Sequence, residues 1–171
     1  MQITAHRLGR SQQSTLDRIA SIAEPAARLV QQHMGGSVGH VELAVTGRSS
    51  IPDLIVQAHR PLVGRLDRRQ VRLLRCYGTT TINPAGTLVI INADKCRRVS
   101  EIDKTVVHEL GHAVQFARPG ARNLLIRSLR NNYGIEAMTD AEAHAANRQV
   151  DADEVEAEQL ERLARKLTQL T

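Results

Sequence analysis

Ile102, Val106, Leu110 and Val114 recur every four residues, a spacing that only a helix turns into one continuous apolar face. Ser100 ahead of the run is a suitable N-cap, and Glu101 and Asp103 put acidic groups in the first turn, where they complement the helix dipole. Pro119-Gly120 closes the segment. A helix patterned in this way must dock on a core. Inside it lies His108-Glu109-Leu110-Gly111-His112. Residues four apart sit one turn apart on one face, so His108 and His112 are spaced to grip a single metal ion, with Glu109 beside them. Two imidazoles plus a carboxylate that can serve as a base are the H-E-x-x-H arrangement of zinc hydrolases.

The rest of the chain must supply that core without aromatics. Of 171 residues one is Phe, two are Tyr and none is Trp, whereas 42% are hydrophobic, so the interior is aliphatic. The length predicts one domain over residues 1–171. No stretch approaches the roughly 20 apolar residues of a membrane span, and residues 1–20 lack the apolar region of a secretory signal. Cys76 and Cys96 make neither a disulfide framework nor a metal knuckle. A cytoplasmic protein is expected. The net charge is +5, and the positive charge concentrates in the first two thirds of the chain, notably at Arg65, Arg68, Arg69, Arg72 and Arg75. With few aromatics to stack on bases and no nucleic-acid motif, this run reads as the solvated face of a helix whose buried side is Leu66, Val71 and Leu74. A basic nucleic-acid-associated protein is an alternative that rests on this run alone.

Periodicity predicts a helix over 14–33 ended by Gly35-Gly36, a strand over 38–46, helices over 51–62 and 66–77, and a turn at Gly86. The β-branched run 87–92 is the clearest strand and is expected to be largely buried. After the metal helix, 122–130 is predicted as a short helix and 139–170 as helical with an interruption near Val150-Asp151. The fold class is α+β: a small sheet packed against the H-E-x-x-H helix, with further helices at both ends.

A catalytic zinc site takes three protein ligands and keeps one position open. Gln115 and Arg118 stand where a metzincin has its glycine and third histidine, so that class is excluded. Glu156 shares a helix face with Leu160, Leu163 and Leu167, and a carboxylate on an apolar stripe must be paired, protonated or metal-bound. Asp153 as an N-cap with Glu156 at N3 is the purely structural reading of the same residue. Glu142, in Thr139-x-x-Glu142, and Glu136, four residues before Asp140, are the competing candidates, with His144 behind them. Tyr133 and His144 are the residues to consider for an oxyanion stabiliser.

Leu88-Val89-Ile90-Ile91-Asn92, then Val106-Val107-His108-Glu109-Leu110-Gly111-His112, then Glu154-Val155-Glu156-Ala157-Glu158 together resemble the ImmA/IrrE-like metallopeptidases, small intracellular gluzincins of bacteria, phages and mobile elements. The resemblance covers residues 87–167. It implies a zincin-like fold, Zn2+ held by His108, His112 and a glutamate of the Glu-x-Glu-Ala segment (Glu156 on the reading above), and Glu109 as general base of peptide hydrolysis. It also implies a protein or peptide substrate, such as a repressor or antitoxin. Glu136-Ala137-Met138-Thr139-Asp140 is separately similar to the Glu-x-x-x-Asp segment of thermolysin-like gluzincins. The strand 88–92 is expected to lie along the cleft and pair with an extended substrate. A regulatory protein that keeps zinc without turnover is the remaining alternative, against which an intact Glu109 argues.

Overall fold

The computed structural model describes residues 1–71 and 76–167. Among these, four strands form one mixed sheet in the order β1-β2-β4-β3: β1 (Gln2–His6), β2 (Val41–Thr46), β3 (Gly78–Asn83) and β4 (Gly86–Asn92). β1, β2 and β4 run parallel, and β3 lies antiparallel to β4 as the first arm of a tight hairpin. Helices α1 (Gln13–Met34) and α3 (Val99–Phe116) cover one face of the sheet and α2 (Ile51–Val63) covers the other. The C-terminal part consists of α4 (Ala121–Asn132), α5 (Asp140–Leu160), a 3-10 turn at Glu161–Leu163 and α6 (Ala164–Leu167). The fold is α+β.

The three layers follow from the alternation within the central strands. In β4, Val89 and Ile91 enter the core shared with α1 and α3, and Leu88 and Ile90 enter the one shared with α2. Successive side chains of a strand point to opposite faces, so a strand covered on both sides reads as one uninterrupted apolar run. β2 does the same, with Leu43 and Val45 on one side and Ala44 on the other. α3 buries Ile102, Val106, Leu110 and Val114 as its spacing predicts. Its start is two residues earlier than expected: Arg98, not Ser100, is the N-cap, and the Glu101 carboxylate accepts the Arg98 backbone N–H at 3.1 Å. Asp103 is not a solvated first-turn acid. It is buried and receives Arg18 Nε at 2.8 Å and Nη2 at 2.6 Å, a two-pronged ion pair that ties α1 to α3.

Gly111 decides how closely α5 approaches. A Cβ at this position would stand 2.6 Å from Leu160 Cδ1 and 3.7 Å from the Ala157 backbone, so α5 rests on the bare backbone of α3.

Several expectations are corrected. The strand expected over 38–46 begins at Val41. The helix expected over 66–77 is, in its described part, a 3-10 turn at Arg68–Gln70 capped by Asp67; residues 72–75, with Arg72 and Arg75, lie outside the described residues. Arg68 is paired with Asp53 at 2.7 Å. α5 runs through Val150 and Asp151 without a break, so Asp153 is interior to it and caps nothing. β4 is paired on both sides and is not available to a substrate; the edge strand beside it is β3. No helix of the described residues is long and apolar enough to cross a membrane.

Candidate metal centre

His108 and His112 project from consecutive turns of α3, and their Nε2 atoms lie 3.1 Å apart. Glu154 of α5 closes the group. Its Oε1 is 3.4 Å from His112 Nε2 and its Oε2 is 3.5 Å from His108 Nε2. Among the described residues this is the set of His, Cys, Asp and Glu donors that converges for a metal, one ligand atom from each lying within 4.8 Å of the others. Zinc bonds of about 2.0–2.1 Å in tetrahedral geometry separate ligand atoms by roughly 3.3 Å, so the spacings fit the ion with little movement. The chemistry of two imidazoles and one carboxylate suits it as well.

His112 has a hydrogen-bond partner behind it. His112 Nδ1 lies 2.7 Å from Gln115 Oε1, while Gln115 Nε2 donates to the Asp153 carbonyl at 2.8 Å and to Glu156 Oε2 at 2.9 Å. With its nitrogen committed, Gln115 presents only its oxygen to the ring, so the proton of His112 is held on Nδ1 and the lone pair on Nε2. His108 Nδ1 is buried, lacks a hydrogen-bond partner, and has Glu161 Oε1 at 3.5 Å. Burial lowers the pKa of His108, aided by the His112 ring, while Glu154, Glu161 and Glu158 pull it back up. The neutral, metal-binding form is thereby favoured.

Glu109 points from the adjoining face of α3 toward β3, under the sheet edge. It is 4% exposed, and Thr80 Oγ1 donates to its Oε2 at 2.7 Å and to its backbone carbonyl at 3.0 Å. Burial pushes its carboxyl up to about 8, the Thr80 hydroxyl opposing and the Glu154 carboxylate adding to the rise. Room for this side chain exists because residue 78 is glycine: a Cβ there would lie 2.6 Å from Glu109 Oε1. Gly78 belongs to the edge strand. Asn92 N–H donates to the Tyr77 carbonyl at 2.8 Å, which places Thr79 and Thr81 in the bonded pairs of the β3–β4 ladder. Gly78, Thr80 and Ile82 therefore turn their backbone N–H and C=O groups outward. The histidines, Glu109 and this edge all line one cleft of about 1070 Å³.

Glu156, the expected third ligand, is not in the cluster. Arg118 Nη2 donates to its two oxygens at 2.8 and 2.7 Å, and Gln115 holds it from the other side. Burial raises its pKa, but these bonds outweigh that and leave it below the ordinary carboxylate value. Two residues apart on a helix is more than half a turn, so Glu154 and Glu156 cannot face the same way. The leucine stripe misdirects the choice because α5 ends at Leu160, and Leu163 and Leu167 belong to the following turns. The Glu-x-Glu-Ala segment does reach the histidines, through its first glutamate. That glutamate is 52% exposed at the cleft, so a burial criterion passes over it.

The other candidates are occupied elsewhere. Glu142 forms the capping box of α5 with Thr139 and pairs with Arg127 at 2.8 Å. Glu136 pairs with Arg130 at 2.8 Å, and His144 is exposed. Tyr133 Oη sits 2.8 Å from His59 Nδ1, on the far side of β3. A scan against protein-family models gives no match, and no curated protein or solved structure matches the chain.

Proposed function

We propose that the protein is a zinc-dependent metallopeptidase of gluzincin type with a zincin-like arrangement, and that Glu154, not Glu156, completes the metal site. The observation that carries this reading is the convergence of His108, His112 and Glu154 beside a buried, hydrogen-bonded Glu109 on one open cleft. His108 and His112 hold the ion through Nε2 and Glu154 through a carboxylate oxygen. When bound, zinc supplies Lewis acidity that polarises a peptide carbonyl and acidifies water.

The chain's own residues do the rest. Glu109 accepts a proton from the attacking water and returns it to the leaving amine, so that one C–N bond breaks and one C–O bond forms. Its burial keeps its proton affinity in the range such a base needs, and Thr80 fixes one carboxylate oxygen so that Oε1 is the one left to act. The outward backbone groups of Gly78 and Thr80 receive an extended segment by strand addition, a task expected of 88–92 and transferred here to the edge strand β3.

The test is metal content together with turnover of an unfolded protein such as casein. Protein purified without chelator should carry about one zinc per chain. Glu109→Gln should keep the zinc and the fold and lose at least about a hundredfold in turnover. A chain that takes up no zinc or other transition metal, or a variant that cleaves as fast as the parent, overturns the reading.

A further inference from the structure

The cleft is unlike at its two ends. Along α3 its lining passes from Glu101 and Lys104, through the two histidines, to Phe116, a distance of about 22 Å at 1.5 Å per residue. At the first end Lys104 pairs with Glu161 at 3.7 Å, so the wall is charged. At the other, Phe116 of α3, Ala121, Leu124 and Leu125 of α4, and Ala146 and Val150 of α5 gather apolar side chains into a chamber, with Ser128 and Gln149 beside them and Arg118 on the lining already paired with Asp153 and Glu156.

Two further observations say that this chamber is made to be filled. α4 is an amphipathic helix of 12 residues with no fully buried residue; Leu129 packs against the small cluster of Val56, Val63 and Leu66, whereas Leu124 and Leu125 line the chamber. Leu124 is 37% and Val150 53% exposed, and both of these exposed apolar side chains lie on the chamber. Uncovered apolar groups gathered in a concave site beside convergent polar ones mark where a ligand's apolar part sits. The adjoining β3 edge supplies the orientation. A segment hydrogen-bonded to Gly78 and Thr80 is extended, and turns every second side chain to one face.

We infer that the chamber is a specificity subsite that receives a bulky aliphatic or aromatic side chain of an extended peptide, next to the residues joined by the scissile bond, and that a charged side chain at that position is rejected. The inference rests on the peptidase reading for what happens to the peptide, but not for its binding. The charged end of the cleft imposes no such demand, so the selection is one-sided. Leu124, Leu125 and Val150 are the residues that set it.

Fluorescein-labelled hexapeptides that differ at one central residue (Leu, Phe, Ala, Glu or Lys) test this by anisotropy on zinc-loaded Glu109→Gln protein. The Leu and Phe peptides should bind at least about tenfold more tightly than the Glu and Lys peptides, the scale of one buried side chain. Leu124→Glu and Val150→Glu, each added separately at an exposed position, should remove the preference while zinc content and helicity stay unchanged. Cleavage sites mapped by mass spectrometry on a peptide mixture with the unmodified protein should show the same residue preference on one side of the bond. Equal affinities across the series, no binding at millimolar peptide, or a preference that survives both glutamate variants overturns the inference. If the preference is found and nothing is ever cleaved, the peptidase reading falls and the subsite stands; cleavage with no preference does the reverse.

Discussion

The Nδ1 of His112 lies 2.7 Å from the side-chain oxygen of Gln115, and that amide cannot turn round without giving up its bonds to Asp153 and Glu156. One glutamine thus fixes the tautomer of His112 and, through the Asp153 carbonyl, the position of the residue just before Glu154. Gln115→Leu should lower zinc affinity about ten- to hundredfold, as loss of an outer partner does. In the zinc-free protein, 15N shifts should place the His112 proton on Nδ1, and the variant should show a mixture. A single Nε2–H form in the parent would contradict the assignment.

Glu154→Ala and Glu156→Ala should behave differently although they are two residues apart. The first removes the proposed third ligand and should weaken zinc binding beyond the roughly hundredfold ceiling of an outer contact. The second disturbs Gln115 and Arg118 and should stay within it. Competition against a fluorescent chelator ranks the two. A larger loss at Glu156 would restore it as the ligand.

Gly78→Ala introduces a methyl carbon 2.6 Å from Glu109 Oε1 and 2.8 Å from its Cγ, with no obstacle in the backbone, since Gly78 does not have a positive φ. The carboxylate must move. A displacement of about 1 Å costs on the order of a hundredfold in rate, so casein turnover should fall by that factor while zinc content remains that of the parent. Unchanged turnover would show that Glu109 tolerates relocation and does not act from this position.

His59 is buried between the Tyr133 and Thr81 hydroxyls, and burial lowers its pKa from 6.5 to about 4. The unfolded chain therefore binds the proton more readily than the folded one between these values, and stability falls with falling pH. The contribution is whole above pH 6.5 and is lost progressively toward pH 4, roughly 3 kcal/mol in all. Urea titrations of the parent and of His59→Gln across this window should diverge, with the parent losing more. Parallel curves would mean that His59 titrates normally in the fold.

The parts of this architecture that are local in the chain were legible in it. The four-residue stripe predicts α3, β-branched density predicts β4, and His108, Glu109 and His112 need only one helix to meet. β1 and β3 escaped notice for a common reason. Gln2–His6 and Gly78–Asn83 are edge strands whose half-exposed threonines carry little apolar alternation. Glu154 escaped for another. A burial argument selects residues that face a core, whereas Glu154 faces a cleft, so the argument favoured Glu156 on the leucine side. Gln115 and Gly78 act through contacts with residues 38 and 31 positions away, and no spacing rule on one element reports such partners.

The bare backbone of Gly111 under Leu160 has a thermodynamic meaning. Two of the three donors are fixed in the sheet-facing helix, and the third rides on a helix whose buried residues are only Ala146, Ala157 and Leu160. On the proposed metal reading, occupancy of the site and seating of the C-terminal helices are one linked equilibrium, and an ion that binds only the seated form stabilises it in proportion to the logarithm of its free concentration. The same ion would act as a cross-link between the first two thirds of the chain and the last, and zinc supply would govern how long that last third stays docked.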